Sequence, residues 1–336
     1  MDFLKSVGNA IVRAFKIPKP YNWGYPVFYG SVGMAIALLI LKLMFSGAFK
    51  FSSTSLIGCA ITVIMIVMFA FVAPSVIIAE RGGICITGHY TGIGVLILSF
   101  LSGAPVYLVK TSFHNLTTAL WLKMGGTVMF PAVFYHVEGL TGQTLLLEIL
   151  IDTIVPAFGF SLFFLGAVWQ GFAEDKKKWG FIIVPMLFAL FAFDPMNIVS
   201  ILIIGWWLCV VRNNTGNIYG PILALLGSRL TGIMIDSILY EIDLTTIRVY
   251  SDISSTFYFA TVPAIVVAVI LFAFFRKTLG EFHSVYSNII YGDEKGPEDR
   301  DGGLAGSVLS GFNLTFILGV LICMVFWILL TKGVRL

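Results

Sequence analysis

Charge is scarce in this chain. Of 336 residues, 12% are Asp, Glu, Lys or Arg, about half the share of an average soluble domain. That leaves too little polar surface for a soluble globule, and the 58% of hydrophobic residues points to a chain dissolved in lipid. Cysteine is equally sparse. Cys59, Cys85, Cys209 and Cys323 sit in apolar stretches without C-x-x-C spacing, so they read as small hydrophobes rather than metal ligands. His89, His114, His136 and His283 fall in four separate segments with no H-x-x-x-H pair, and neither a metal site nor a cofactor is expected. The G-x-S-x-G elbow, the H-E-x-x-H pair and the P-loop are all missing. A net charge of +3, with no basic run interleaved with aromatics, gives no footing for nucleic acid. The first 20 residues carry Lys5, Arg13, Lys16 and Lys19 but no continuous apolar core, so no cleavable signal is expected.

What the chain has instead is apolar length. Runs long enough to cross a hydrocarbon layer, about 20 residues each, occupy 25–47, 54–79, 84–103, 116–137, 145–172, 217–237, 256–275 and 307–331. A further run, 179–211, is broken at Asp194-Pro195 and reads as two short spans or a re-entrant hairpin, because a proline and a carboxylate at mid-depth need protein or water around them. The expected fold is an all-α, polytopic transmembrane helical bundle with about 8–10 membrane segments. Residues 1–22 form an expected N-terminal interfacial amphipathic segment, closed by Pro18 and Pro20. Residues 23–336 form a single transmembrane domain. Within it 278–306, rich in charge, Gly and Pro, is expected to be a mobile extramembrane loop. No repeat of matched broken helices is visible, which weighs against a secondary transporter.

Lys and Arg concentrate at the N-terminus, at Lys176-Lys177-Lys178 with Arg212, and at Arg276-Lys277. The positive-inside rule puts all three on the cytoplasmic side, N-terminus included. An even number of crossings must then separate residues 20 and 176, where five candidate runs lie. The run 116–137, interrupted by Lys123 and Gly125-Gly126, is the one expected not to cross.

A charge at the bilayer centre costs roughly 3 kcal/mol even on lenient scales, so the ionisable residues inside apolar runs deserve weighing: Lys123, Glu148, Asp152, Asp194, Arg229 and Asp236. Glu148 and Asp152 share a helix face at i, i+4. They read either as a proton-relay, cation or acid–base pair, or as carboxylates wetted near the start of their segment. Gly216–Gly220 and Ser228–Gly232 have small-x-x-x-small spacing, which lets helices approach closely. Glu80-Arg81-Gly82-Gly83 reads as a polar turn between spans.

Three segments between 156 and 229 form a pattern. Phe160-Ser161-Leu162-Phe163-Phe164-Leu165-Gly166 resembles the E-E-x-x-x-R-G motif of the CPBP/Abi family, relatives of the CAAX-processing proteases. Leu187 to Ala192 resembles that family's F-x-x-x-H helix, and Arg212-Asn213-Asn214-Thr215-Gly216-Asn217-Ile218 running on to Leu225 resembles its r-x-x-T-G-S-I-x-x-P-I-L-x-H segment. The resemblance implies a CPBP-like core over 145–237. It also implies that the chemistry is gone: Phe160 and Ser161 stand at the glutamate positions, Leu165 at the arginine, Ala192 and Leu225 at the histidines, and Arg229 at the asparagine. Amide hydrolysis needs a general base and a stabilised oxyanion, and none of these side chains is a convincing base. Two further expectations follow from the resemblance: that Phe160, Ala192 and Leu225 surround one cavity, and that Asp194 and Arg229 face each other, either as a structural ion pair or as a polar lining.

The resulting reading is a non-catalytic, CPBP-like membrane protein that binds a partner helix, a lipid or a lipidated peptide, as a scaffold or assembly subunit. Its candidate cavity-lining residues are Glu148, Asp152, Phe160, Ala192, Asp194, Leu225 and Arg229. The alternatives are a transporter or channel using Glu148, Asp152, Asp194 and Arg229, and an intramembrane hydrolase with a rearranged site. The expected partners are the lipid bilayer, other membrane proteins or a lipidated peptide.

Overall fold

The computed structural model describes residues 22–44, 51–53, 56–82, 85–88, 92–126, 133–135, 147, 149–172, 177–235, 237–242, 247, 249–253, 257–291 and 311–332. The expected interfacial segment 1–22, Glu148 and Asp236 fall outside these residues, apart from Asn22. The side chains of Asp152 and His283, and all of His89 and His136, likewise fall outside what is described.

Helices dominate, as apolar runs in lipid require, since only internal hydrogen bonds can satisfy the backbone there. In chain order they are α1 (Gly24–Met44), α2 (Leu56–Ile66), α3 (Ala73–Gly82), α4 (Ile93–Leu101), α5 (Gly103–Lys123), α6 (Val155–Phe160), α7 (Lys177–Ala192), α8 (Ile198–Thr215), α9 (Tyr219–Ile235), α10 (Phe257–Tyr291) and α11 (Leu314–Lys332). Three π-helical stretches interrupt them. Val67–Val72 fuses α2 to α3, while Leu150–Ile154 and Ser161–Val168 flank α6 in one continuous central helix that ends at Trp169–Gly171. Two three-residue strands, β1 (Phe51–Ser53) and β2 (Val133–Tyr135), pair in parallel. Gly24–Met44, Ile57–Gly82, Ile93–Lys123, Ile198–Thr215 and Tyr258–Phe282 are long and apolar enough to cross a membrane, and Val155–Gly171, Tyr219–Ile235 and Leu314–Leu329 are shorter apolar helices among them. The protein is an all-α, polytopic bundle.

The central helix organises the packing. It touches α1, α2, α3, α7, α8 and α9, while α11 packs on α1, and α4, α5, α9 and α10 form a second group joined to it through α8 and α9. Every residue of Ser161–Val168 is buried. A helix enclosed on all faces has to be apolar all round.

Contacts sort the helix termini to two ends of the bundle. At the first end, a Cβ on Gly24 would overlap the Gly311 carbonyl and one on Gly171 would overlap Trp23, Ile218 N donates to Thr87 O at 3.1 Å, and Gly94 approaches Phe282. At the second, β1 pairs with β2, Thr117 Oγ1 donates to Met196 O at 2.8 Å, and Asn115 Nδ2 donates to Tyr240 O at 2.9 Å. Both α5 and the α7–α8 junction therefore end at the second end, where α2 meets Leu150–Ile154. Of the run 116–137, the described residues 116–126 and 133–135 both lie at this second end.

Several expectations change here. α10 runs through Tyr291, so the loop expected at 278–306 does not begin at 278; Leu279 is fully buried and Lys277 pairs with Glu281 one turn on. The remainder, 292–306, is outside the described residues. The Asp194-Pro195 break lies at the tip of the α7–α8 hairpin, at the second end, rather than at mid-depth. α7, with 16 residues, is about 24 Å long, short of a hydrocarbon layer of about 30 Å. Lys123 is exposed in the last turn of α5, 5.8 Å from the Tyr250 ring. Glu80 and Arg81 are exposed at the end of α3.

Small residues set the closest approach. Gly220, Ala224, Gly227, Ser228 and Gly232 line the face of α9 turned to α4 and α5, where a Cβ on Gly227 would overlap the Phe100 carbonyl and one on Gly103 the Ala224 carbonyl. Gly227→Leu is expected to destabilise the fold by about 1–3 kcal/mol through overpacking, read as a lower melting temperature in detergent. Met234→Leu, at an exposed position of the same helix, should leave it unchanged.

Candidate functional site

Phe160, which stands at a glutamate position of the resembled motif, belongs to a cluster of aromatic rings. Phe160 and Phe164 on the central helix meet Phe188 on α7 with ring centroids 5.1 and 5.3 Å apart, edge to face. Phe71, Phe163 and Phe191 extend the cluster, with Phe71 4.9 Å from Phe160 and Phe191 5.6 Å from Phe164. Edge-to-face pairs add about 0.5–1.5 kcal/mol each beyond the area they bury. Between the central helix, α7 and α8, a void of about 10 Å³ remains, lined by Phe160, Ser161, Leu165, Phe188, Gly205 and Leu208 among others. That is about the room of one water, too little for a peptide bond and its attacking water. Ser161 Oγ is buried there without a hydrogen-bond partner.

A larger cavity opens on the other face of Phe160. It measures about 220 Å³ and is bounded by Met34 and Leu38 of α1, Val63 and Ile66 of α2, Val67 and Phe71, Pro156 and Phe160 of α6, and Phe191, Ala192 and Phe193 at the end of α7. Phe160 and Ala192 therefore share this lining. Leu225 does not: it is half-buried on α9 against the main core. Phe193 adopts φ +49°, the one non-glycine residue with positive φ among those described, a conformation that costs of order 1–3 kcal/mol.

The expected Asp194–Arg229 pair is not formed. Asp194 turns back on its own hairpin, its carboxylate accepting from Asn197 Nδ2 at 2.7 Å and Asn197 N at 3.3 Å, which closes the link between α7 and α8 on itself. Arg229 is half-buried on α9, and its charge is felt weakly at Glu241. Glu241 and its neighbours strap residues 237–242 to α5. Lys110 Nζ lies 2.9 Å from the Glu241 carboxylate, Tyr107 OH donates to Leu239 O at 2.8 Å, and Asn115 pairs with both Tyr240 O and Ile242 N. His114 joins this strap to the hairpin, with Nδ1 2.9 Å from Asn197 Oδ1 and Nε2 3.4 Å from Ile242 O. Burial alone would raise the Glu241 pKa, but Lys110, ahead of His114 and Arg229, more than reverses it and holds the carboxyl below its ordinary value. A depressed carboxyl contributes stability at neutral pH that is lost only as pH falls through the folded-state pKa.

Arg212 was counted among the cytoplasmic charges, yet it is 3% exposed. Its Nε donates to Leu165 O at 2.8 Å, tying α8 to the central helix, and its guanidinium packs against Gly88. Below it, Gly216 takes φ +68° to close α8, with its N–H on Arg212 O. Asn217 Oδ1 then accepts from Tyr219 N and Gly220 N at 3.0 and 3.1 Å to start α9. Asn217 and Thr215 are both fully buried. The arginine, the T-G dipeptide and the capping side chain thus serve a turn between two helices. Spacing flagged this segment; only packing shows that its polar members are structural. Cys85 also departs from expectation. Cys59, Cys209 and Cys323 are buried, but Cys85 is exposed at the first end, its pKa lowered by hydrogen bonding with Thr87 and Gly88.

Residues 142–227 match the family model described as type II CAAX prenyl endopeptidase, Rce1-like. The bundle carries a CPBP-type segment at its centre. The match spans about a quarter of the chain and takes in the central helix, α7, α8 and half of α9, the elements on which the three motifs fall. No curated protein and no solved structure matches. Among the described residues no group of three or more His, Cys, Asp or Glu side chains is placed to hold a metal.

Two outcomes test this CPBP-like core. Arg212→Met should lower stability by about 1–3 kcal/mol by leaving the Leu165 carbonyl unpaired in a dry core, and Arg212→Lys should restore little of it, since an ammonium cannot reproduce the planar fork. A double-mutant cycle of Asp194→Asn and Arg229→Gln should be additive within about 0.5 kcal/mol; a larger coupling would show that the two side chains interact after all.

Proposed function

We propose that this protein is a non-catalytic, CPBP-like membrane protein that uses the family framework for binding, as a scaffold or assembly subunit. The observation that carries the reading is the aromatic infill. The positions that hold acid, base and arginine in the resembled family are Phe160, Ser161, Leu165, Ala192 and Leu225 here; Phe160, Ser161 and Leu165 line a void of only about 10 Å³, and no side chain lining the cavity that Phe160 shares with Ala192 is a proton acceptor. General acid–base catalysis needs a proton acceptor within about 3 Å of the group it activates, and Phe, Ala and Leu offer none. Purified protein in lipid nanodiscs should cleave prenylated or transmembrane peptides no faster than a Phe160→Ala variant. Turnover abolished by changing Glu148 or Asp152 would overturn this and favour a hydrolase with a rearranged site.

The same reading places the first end of the bundle in the cytoplasm. Lys177 and Lys178 begin α7 there and Arg276-Lys277 lie toward the same end of α10, in keeping with the positive-inside rule even with Arg212 removed from the tally. Cys85 reports on this directly. In intact cells a membrane-impermeant maleimide should leave Cys85 unlabelled, and permeabilisation should expose it, while the three buried cysteines stay slow; labelling of intact cells lost in Cys85→Ser would invert the orientation.

A further inference from the structure

We infer that the 220 Å³ cavity beside Phe160 takes one hydrocarbon tail of a bilayer lipid. This rests on the reading of the chain as a binding scaffold and names what that scaffold holds. The side chains that line it are aliphatic and aromatic apart from the Met34 thioether, so no side chain there offers a charged or hydroxyl partner and an apolar occupant is favoured. Water is a poor filler, because apolar cavities of about 150 Å³ stay dry and accept hydrocarbon guests. The entrance is marked by exposure. Deep in the cavity Met34, Leu38, Val63, Val67 and Phe71 are buried, whereas Ile66, Pro156, Phe160 and Ala192 are half-exposed. The same helices carry Leu39 and Ile64 exposed on their outer faces, so the mouth opens onto a surface turned to the bilayer. A slender tail can reach the buried end of this space, whereas a partner helix, about 10 Å across, would lie at its mouth. The positive φ of Phe193 holds the end of α7 against the cavity wall, as expected where a backbone is kept in a costly conformation around a site.

The test uses the full-length protein in phosphatidylcholine vesicles whose acyl chains carry a diazirine near the terminal methyl. After irradiation, adducts on Met34, Val63 or Phe160 are expected by peptide mass spectrometry, at least ten times more abundant than those on Leu39, Leu43 and Met68 when weighted by exposure. Ala192→Phe, which fills the mouth, should remove the inner adducts and leave the outer ones, and native mass spectrometry should show one retained lipid per chain lost in the same variant. Should Ala192→Phe fail to fold, Met34→Trp fills the opposite wall and serves in its place. Adducts confined to the outer residues, or retention of a prenylated peptide in place of lipid, would overturn the inference. Neither result bears on peptide cleavage, which is measured separately.

Discussion

The structure depends on one helix that has no outside. Ser161–Val168 is buried on every face, with α1, α3, α7, α8 and α9 around it. Any polar group on such a helix must find its partner within the protein, and an unpaired one costs several kcal/mol where no water reaches. In an active enzyme that demand is met by a wet cleft with acids and imidazoles in it. Here the side chains of Leu162–Val168 are all apolar, and Ser161 Oγ is left buried without a partner. Phe160, Phe163 and Phe164 turn the same positions into a ring cluster with Phe71, Phe188 and Phe191. The one strong donor kept at this depth, Arg212, is spent on the Leu165 carbonyl.

Phe160 then acts as a partition. On one side its ring closes the space between the central helix, α7 and α8 to about 10 Å³; on the other it forms part of the wall of a cavity of about 220 Å³ against α1 and α2. A large planar ring that stacks edge to face with Phe71 and Phe188 cannot occupy both volumes. Filling one leaves the other open. Of these two spaces the larger lies toward α1 and α2, and Phe160 gives it an apolar wall.

How far the sequence carries follows from which interactions are local. Helix periodicity, apolar length and the order of the three motifs are properties of neighbouring residues, and they led to a polytopic bundle with a CPBP-like centre. The Thr215-Gly216-Asn217 turn was equally visible, because a positive φ at glycine and an Asx cap have fixed spacing. Partner choice across the bundle was not. Asp194 and Arg229 were paired on the strength of the resemblance, yet a carboxylate two residues from the end of α7 can reach Asn197 within one turn, a shorter path than any to α9. Arg212 was misread for the complementary reason: a charge three residues from a helix terminus looks solvent-facing in sequence, and only the docking of residues 85–88 onto the α8–α9 turn buries it.

The polar strap at the second end follows the same logic in reverse. Residues 237–242 bury Leu239 and Ile242 against the bundle, and hydrogen bonds and charge fix the segment further: Tyr107, Lys110, His114 and Asn115 lie on one face of α5, and each reaches a different point of the segment. The Lys110–Glu241 pair is half-exposed and worth at most about 1 kcal/mol by itself; the two-way bonding of Asn115, fully buried, sets the register. His114 extends the strap to Asn197 and hence to Asp194, so the α7–α8 hairpin and the segment after α9 are fixed to one helix. Asp194, which looks in sequence like an isolated charge at membrane depth, is thus part of a fastener at the end of the bundle.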